Sequence, residues 1–224
     1  MGNCRNLYVF FFRSTIFRYV VPLPKLADDH IRIIYIKLNP EYPDPKYFVH
    51  EHLQVQFIHL LTLIAENDLS YRIHYICDCD GLKLEHGVKT NLMVLKKYQI
   101  VLEKVFSNRV ASLYMVNFSA FLDNFFNTVV KPLFHKKIRE RLQTHSGTEI
   151  LFKVFGKERM PRDIGGEEKS LEELNYMLHQ QYELHKDRFL ELEKLTVDES
   201  LRPAKLQNDE ILGYYGNFRK IDVD

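Results

Sequence analysis

Apolar positions change period along this chain, and the changes mark out its elements. Residues 31–38 (Ile-Arg-Ile-Ile-Tyr-Ile-Lys-Leu) are dense in β-branched and aromatic side chains and predict a strand. Three prolines between Asn39 and Lys46 predict an extended loop, because proline fixes φ and restricts the residue before it. From Tyr47 to about Glu66, Leu53, Phe57, Leu60, Leu61 and Ile64 recur at helical spacing. Residues 72–77 return to strand character and stop at Asp78, Asp80 and Gly81. A helix over about 85–106 and a strand over 113–116 follow. This β-α-β-α-β order predicts an α/β fold with a mainly parallel sheet and right-handed crossovers.

The flanking segments differ. Residues 7–12 form the most apolar run, but Arg13 and Arg18 interrupt it well short of the ~20 residues a spanning helix needs. The stretch 7–21 therefore reads as a buried or interdomain segment. Its Arg5, Arg13 and Arg18, with no acid before Asp28, are faintly like a transit peptide. Residues 120–134 carry Phe121, Leu122, Phe125, Phe126, Val129 and Val130, more large apolar groups than one buried stripe holds. Behind them comes a basic run, Lys131, Lys136, Lys137, Arg139 and Arg141. Gly165-Gly166 is a sharp stop. Ser170 with Glu173 predicts a capping box ahead of a helix to about Leu195, followed by an irregular tail.

Of 224 residues, 46% are hydrophobic and 27% charged, which excludes wholesale disorder and suits one domain or one and a half. Lys+Arg 31 against Asp+Glu 30 leaves a net charge of +1, so global charge makes no case for nucleic acid. Charge is nevertheless segregated. Residues 96–162 hold thirteen Lys/Arg against five acids, and residues 167–224 hold eight against fourteen. A basic segment beside a surplus of phenylalanine suits an anionic, greasy partner such as a membrane surface. A solvated basic face over an ordinary core helix fits the same pattern. Three cysteines cannot close a disulfide framework, and an intracellular, reduced protein is the simplest reading.

Candidate chemistry is sparse. Asp78-Cys79-Asp80-Gly81, at the end of an apolar strand, is similar to the first motif of haloacid dehalogenase-like phosphatases, where the first Asp is a phosphoryl acceptor and the second an acid/base. The later strand, however, ends in Asn117-Phe118 and no paired-Asp loop follows. The alternative is that Asp78 and Asp80 accept backbone N–H bonds at the turn. His50, His52, Cys77 and Cys79 make a poor zinc set, since residues two apart on a helix do not share a face. No metal, cofactor or enzymatic activity is expected.

Several features then line up in order: Leu23-Pro24, Asp78 with Gly81, Val116-Asn117, Lys131-Pro132-Leu133-Phe134, His145, and Met160-Pro-Arg-Asp-Ile-Gly-Gly166. Together they resemble the CRAL-TRIO lipid-binding domain, in the branch similar to α-tocopherol transfer protein and cellular retinaldehyde-binding protein. The resemblance covers roughly residues 20–180. It implies a sheet flooring a deep apolar pocket, helices on its back and a mobile lid helix. It also implies one hydrophobic guest, such as a tocopherol, retinoid or phospholipid, exchanged by a cytoplasmic, peripherally membrane-associated monomer.

Carried over by position, the lid comprises Phe121, Leu122, Phe125 and Val129. The pocket takes Phe57, Leu61 and Ile64 from the first helix, and Ile73, Tyr75 and Cys77 from one strand face. Tyr98, Val101, Leu102, Leu113 and Met115 close it. A basic cleft for a phosphoinositide headgroup maps to Arg109, Lys137 and Arg141, with Arg139 between the last two. On this reading residues 1–21 are the remnant of an N-terminal helical domain, 22–168 the lipid-binding domain, and 169–224 a C-terminal helix and tail packed on it. One cleft position of the family falls on Ala111, and its Gly before the second strand is replaced near Tyr71-Arg72.

Overall fold

The computed structural model describes residues 15–70, 72–104, 106, 109–196 and 198–201. They divide into two compact units, Met1–His185 and Lys186–Asp224. The first is built on a five-stranded sheet in the order β1-β2-β3-β4-β5. Its strands are β1 (Arg18–Pro22), β2 (Arg32–Leu38), β3 (Arg72–Asp78), β4 (Arg109–Val116) and β5 (Leu142–Thr144). β1 pairs antiparallel with β2, and all later neighbours are parallel. The expected α/β class with a mainly parallel sheet is therefore what the chain adopts.

Each face of the sheet has its own rows of side chains. Ile36, Cys77 and Met115 stand side by side in register, and Ile34, Tyr75 and Leu113 form the next row on the same face. The opposite face carries Tyr35, Ile76 and Tyr114, all buried. Burial on both faces explains the near-continuous apolar run of β2. The register of β4 skips from Val110 to Ser112, a bulge that takes up Ala111.

Helices α1 (His50–Asn67), α2 (Leu84–Val88) and α3 (Leu92–Lys104) follow β2 and β3. The single helix expected over 85–106 is broken at 89–91. There Asn91 Oδ1 accepts the Val94 N–H at 3.2 Å, and Thr90 turns its hydroxyl back onto the His86 carbonyl. Helix α4 (Ala120–Phe125) continues as a wide π turn over Phe126–Val130 and closes in a tight turn at Lys131–Leu133. Pro132 lacks the N–H that a continuing helix would need.

Helices α5 (Lys136–Arg139), α6 (Glu149–Phe155) and α7 (Leu171–Leu184) complete the first unit. Phe155 of α6 packs against His74 and Tyr114, with ring centroids 5.0 and 5.4 Å apart, and α7 packs along β1. The capping box forms as read: Ser170 Oγ accepts the Glu173 N–H, and Glu173 Oε2 accepts the Ser170 N–H at 2.8 Å. The helix expected to reach Leu195 is interrupted at His185, and α8 (Lys186–Leu192) belongs to the second unit. Gly165 holds a left-handed φ of 91°, and a Cβ on Gly166 would lie 1.9 Å from the Met160 carbonyl oxygen. Only glycines fit this doublet.

Two strands escape sequence patterning. β1 is a short edge strand ending in Pro22, at the end of a stretch read as a buried or interdomain segment, and β5 has a single apolar residue. Residues 7–14 of that stretch lie outside the described residues.

Candidate functional site

A cavity of about 1190 Å³ opens on the face of the sheet that carries Tyr75 and Cys77. Its floor is Ile36, Tyr75, Cys77, Leu113 and Met115, five of the six residues in the two side-chain rows fixed by strand register. Helix α1 contributes Leu53 and Phe57, with His50 and Gln54 on the same wall, and α3 contributes Leu95, Tyr98 and Leu102. Phe57 bridges these walls, its ring centroid 6.1 Å from Tyr75 and 5.5 Å from Tyr98. Phe126 and Phe134 line it from the segment after α4. From Arg109 to Met115 the cavity runs along six residue steps of β4, about 20 Å.

Arg109, Lys136, Lys137 and Arg141 line this same cavity, together with His135 and Ile138. All four cationic side chains belong to exposed residues, and Arg141 donates from its guanidinium to the Val110 carbonyl. Arg139, on α5 beside them, is exposed but does not line the cavity.

A second chamber of about 260 Å³ shares Ile36, Cys77, Met115, Phe126 and Phe134 with the first. Leu122, Phe125 and Val130 line it from the Phe-rich segment. Phe125 rests on α2, where a Cβ at Gly87 would come within 2.7 Å of its ring. The absence of a side chain there is what lets the ring lie so close.

Of the pocket residues expected from sequence, Phe57, Tyr75, Cys77, Tyr98, Leu102, Leu113 and Met115 meet at the larger cavity, and Leu122 and Phe125 at the smaller. Leu61, Ile64 and Ile73 do not: they are buried in solid core. The apolar stripe of α1 continues past the end of the cavity, so helical spacing alone cannot separate the two. Val101 and Val129 line neither chamber, Val130 standing in the place assigned to Val129. The Phe121 side chain lies outside what is described. Ile36, Leu53, Leu95, Phe126 and Phe134 were missed, although the row containing Cys77 would have found Ile36 once strand register was known.

Burial governs the titratable groups here. It pushes the Cys77 thiol up to about 12, with Asp78 adding to the effect. Burial raises the Tyr75 and Tyr98 phenols and lowers the His50 imidazole below its ordinary value. Cys77, Tyr75, Tyr98 and His50 are thus neutral at physiological pH, and Arg109, Lys136, Lys137 and Arg141 bring fixed positive charge to the same cavity.

Asp78 is fully occupied by structure. Its carboxylate accepts from the Tyr35 hydroxyl at 2.9 Å, Lys37 at 3.0 Å, Asn117 Nδ2 at 2.8 Å and the Asp80 N–H at 3.0 Å. Its side chain has no exposed surface. A phosphoryl-accepting nucleophile needs a reachable oxygen, and this one is tied on every side. For Lys37 itself burial works downward, but the Asp78 and Asp80 contacts outweigh it and its pKa ends above the ordinary lysine value. Among the described residues no three His, Cys, Asp or Glu side chains gather as a metal site. His50 and Cys77 share the larger cavity wall, whereas His52 and Cys79 do not. No described helix is long and apolar enough to cross a membrane.

Residues 18–166, about two-thirds of the chain, match the CRAL/TRIO domain, and the protein belongs to that family. Its members are generally lipid-binding transfer proteins rather than enzymes. Among solved structures, one similar to this chain is the crystal structure of Sfh5, at 9% identity and a TM-score of 0.41. That alignment covers 81% of this chain and 66% of the other, just under two thirds of its length. No curated protein sequence matches the chain.

Proposed function

We propose that this protein is a monomeric carrier that holds one tocopherol-, retinoid- or phospholipid-like molecule in the larger cavity and exchanges it at phosphoinositide-bearing membranes. It would act from the cytoplasm through peripheral contact, in the manner of α-tocopherol transfer protein and cellular retinaldehyde-binding protein. The observation that carries this reading is the joining of an apolar cavity of about 1190 Å³ to a group of exposed cations on the same wall. Burying a few hundred Å² of apolar guest at ~25 cal/mol per Å² supplies several kcal/mol, enough for stable loading.

Release then needs a trigger. The segment carrying Phe121, Leu122, Phe125 and Val129 serves as the lid, and its opening would expose both chambers together. An anionic headgroup held by Arg109, Lys137 and Arg141 favours release only if it binds the open state more tightly than the closed one. Residues 22–168 make up the lipid-binding domain on this account. Transfer of a fluorescent lipid between vesicles tests it: the protein should speed transfer, and more so when acceptor vesicles contain phosphoinositide. Transfer no faster than the spontaneous rate with both kinds of vesicle would refute the carrier reading.

A further inference from the structure

The cavity wall carries polar atoms with no visible purpose. Gln54 Nε2 lies 2.8 Å from His50 Nε2 and donates to it, the imidazole being held neutral by burial. Gln54 Oε1 is then left buried with no hydrogen-bond partner among the described residues. On α3 the Tyr98 hydroxyl is likewise buried and unpartnered. Both residues line the larger cavity, and Gln54 is only 6% exposed. Phe57, one turn from Gln54 on the same face of α1, packs its ring against that of Tyr98 and so brings the two groups to one region of the wall.

Unpaired buried acceptors and hydroxyls destabilise a fold, and native proteins keep few of them. As they stand both atoms are closed to bulk water and to the cavity alike, and a turn of the Gln54 carboxamide and of the Tyr98 side chain is what brings them to the cavity that both residues line. The remaining partner is a guest in the cavity. A carboxamide oxygen accepts only, whereas a phenol both donates and accepts. Their joint complement is an O–H group, donating to Gln54 Oε1 and accepting from Tyr98. A carbonyl, ester or ether oxygen could use Tyr98 alone, and a hydrocarbon neither. A carboxylate would set a second acceptor against Gln54.

Building on the carrier reading, we infer that the cavity selects lipid alcohols, whose hydroxyl is received by Gln54 and Tyr98. The same two residues therefore act as specificity determinants within an otherwise greasy chamber. Discrimination of this kind follows from leaving a buried polar group unpaired when the wrong guest binds.

The test titrates the full chain with oleyl alcohol, oleyl methyl ether and 1-octadecene in competition with a fluorescent lipid. The alcohol should bind about tenfold more tightly than the ether, and the alkene more weakly still. Gln54→Leu should bring the alcohol down to the affinity of the ether while leaving the ether unchanged. Tyr98→Phe should weaken alcohol and ether together and spare the alkene. Selectivity of the unmodified protein needs no variant, so a misfolded substitution cannot obscure the result. Equal binding of all three probes, or an alcohol preference that survives both substitutions, overturns the inference and leaves the carrier reading standing. Failure of every probe to bind overturns both.

Discussion

Removing two cations from the cavity mouth should uncouple membrane docking from lipid loading. Lys137 and Arg141 both line the larger cavity, on residues that are exposed, and each basic side chain near anionic lipid contributes about 1 kcal/mol. Lys137→Ala with Arg141→Ala therefore costs about 2 kcal/mol of membrane binding, roughly a thirtyfold fall in partition coefficient. Salt should mimic the substitution, because the screening length drops from about 8 Å at physiological ionic strength to about 3 Å at 1 M. Cosedimentation with phosphatidylcholine vesicles, with and without a few per cent phosphoinositide, measures the effect, and extraction of bound lipid checks that loading is intact. Arg139→Ala is the control: that residue is exposed on the same short helix but does not line the cavity, and it should cost distinctly less. Unchanged vesicle binding in the double variant, or an equal loss from Arg139→Ala alone, would refute the assignment of the mouth.

Other perturbations test separate parts of the account. Phe125→Asp should slow lipid transfer, since a carboxylate placed against α2 and the smaller chamber resists entering a membrane interface; normal transfer rates would remove this segment from the lid. Lys37→Met should destabilise the protein by about 3 kcal/mol in denaturant unfolding, because it strips the cation from a fully buried Asp78 carboxylate while three other hydrogen bonds persist. Adding Asp78→Asn should recover part of that loss, and a loss below about 1 kcal/mol in the single variant would contradict it. Burial holds the His74 imidazole at about 4, so between pH 6.5 and 4 the unfolded chain takes up the proton first and stability falls as pH falls. Discounted for its partial exposure, that effect is about 2 kcal/mol, and His74→Asn should remove this share of the fall, while His50, His52, His86 and His179, also lowered by burial, keep the rest.

The sheet was legible because β2 and β3 concentrate isoleucine and tyrosine where both faces are covered. Strand register was not, and register decides which of two alternating sets faces the cavity. Cys77 and Tyr75 could thus be assigned to it while Ile36, directly beside Cys77, went unseen. On α1, one apolar stripe serves two purposes. Phe57 faces open space and Leu61, one turn on, is packed solid, a difference made by neighbours rather than by spacing. His50 and Gln54 were invisible as pocket residues because a polar side chain on a helix ordinarily signals solvent. Family likeness placed Arg109, Lys137 and Arg141 near one another, but it could not show that Arg139 turns away from the cavity. Lys136 was read only as part of the basic run.

The claim on which all else depends is that a single oily molecule occupies the large chamber. Mass spectrometry of the purified chain, first under native conditions and then after organic extraction, tests it most directly. The account predicts a one-to-one adduct that disappears on extraction and yields a defined lipid in near-stoichiometric amount. A bare polypeptide mass, no extractable lipid, and no uptake from vesicles offered afterwards would contradict it.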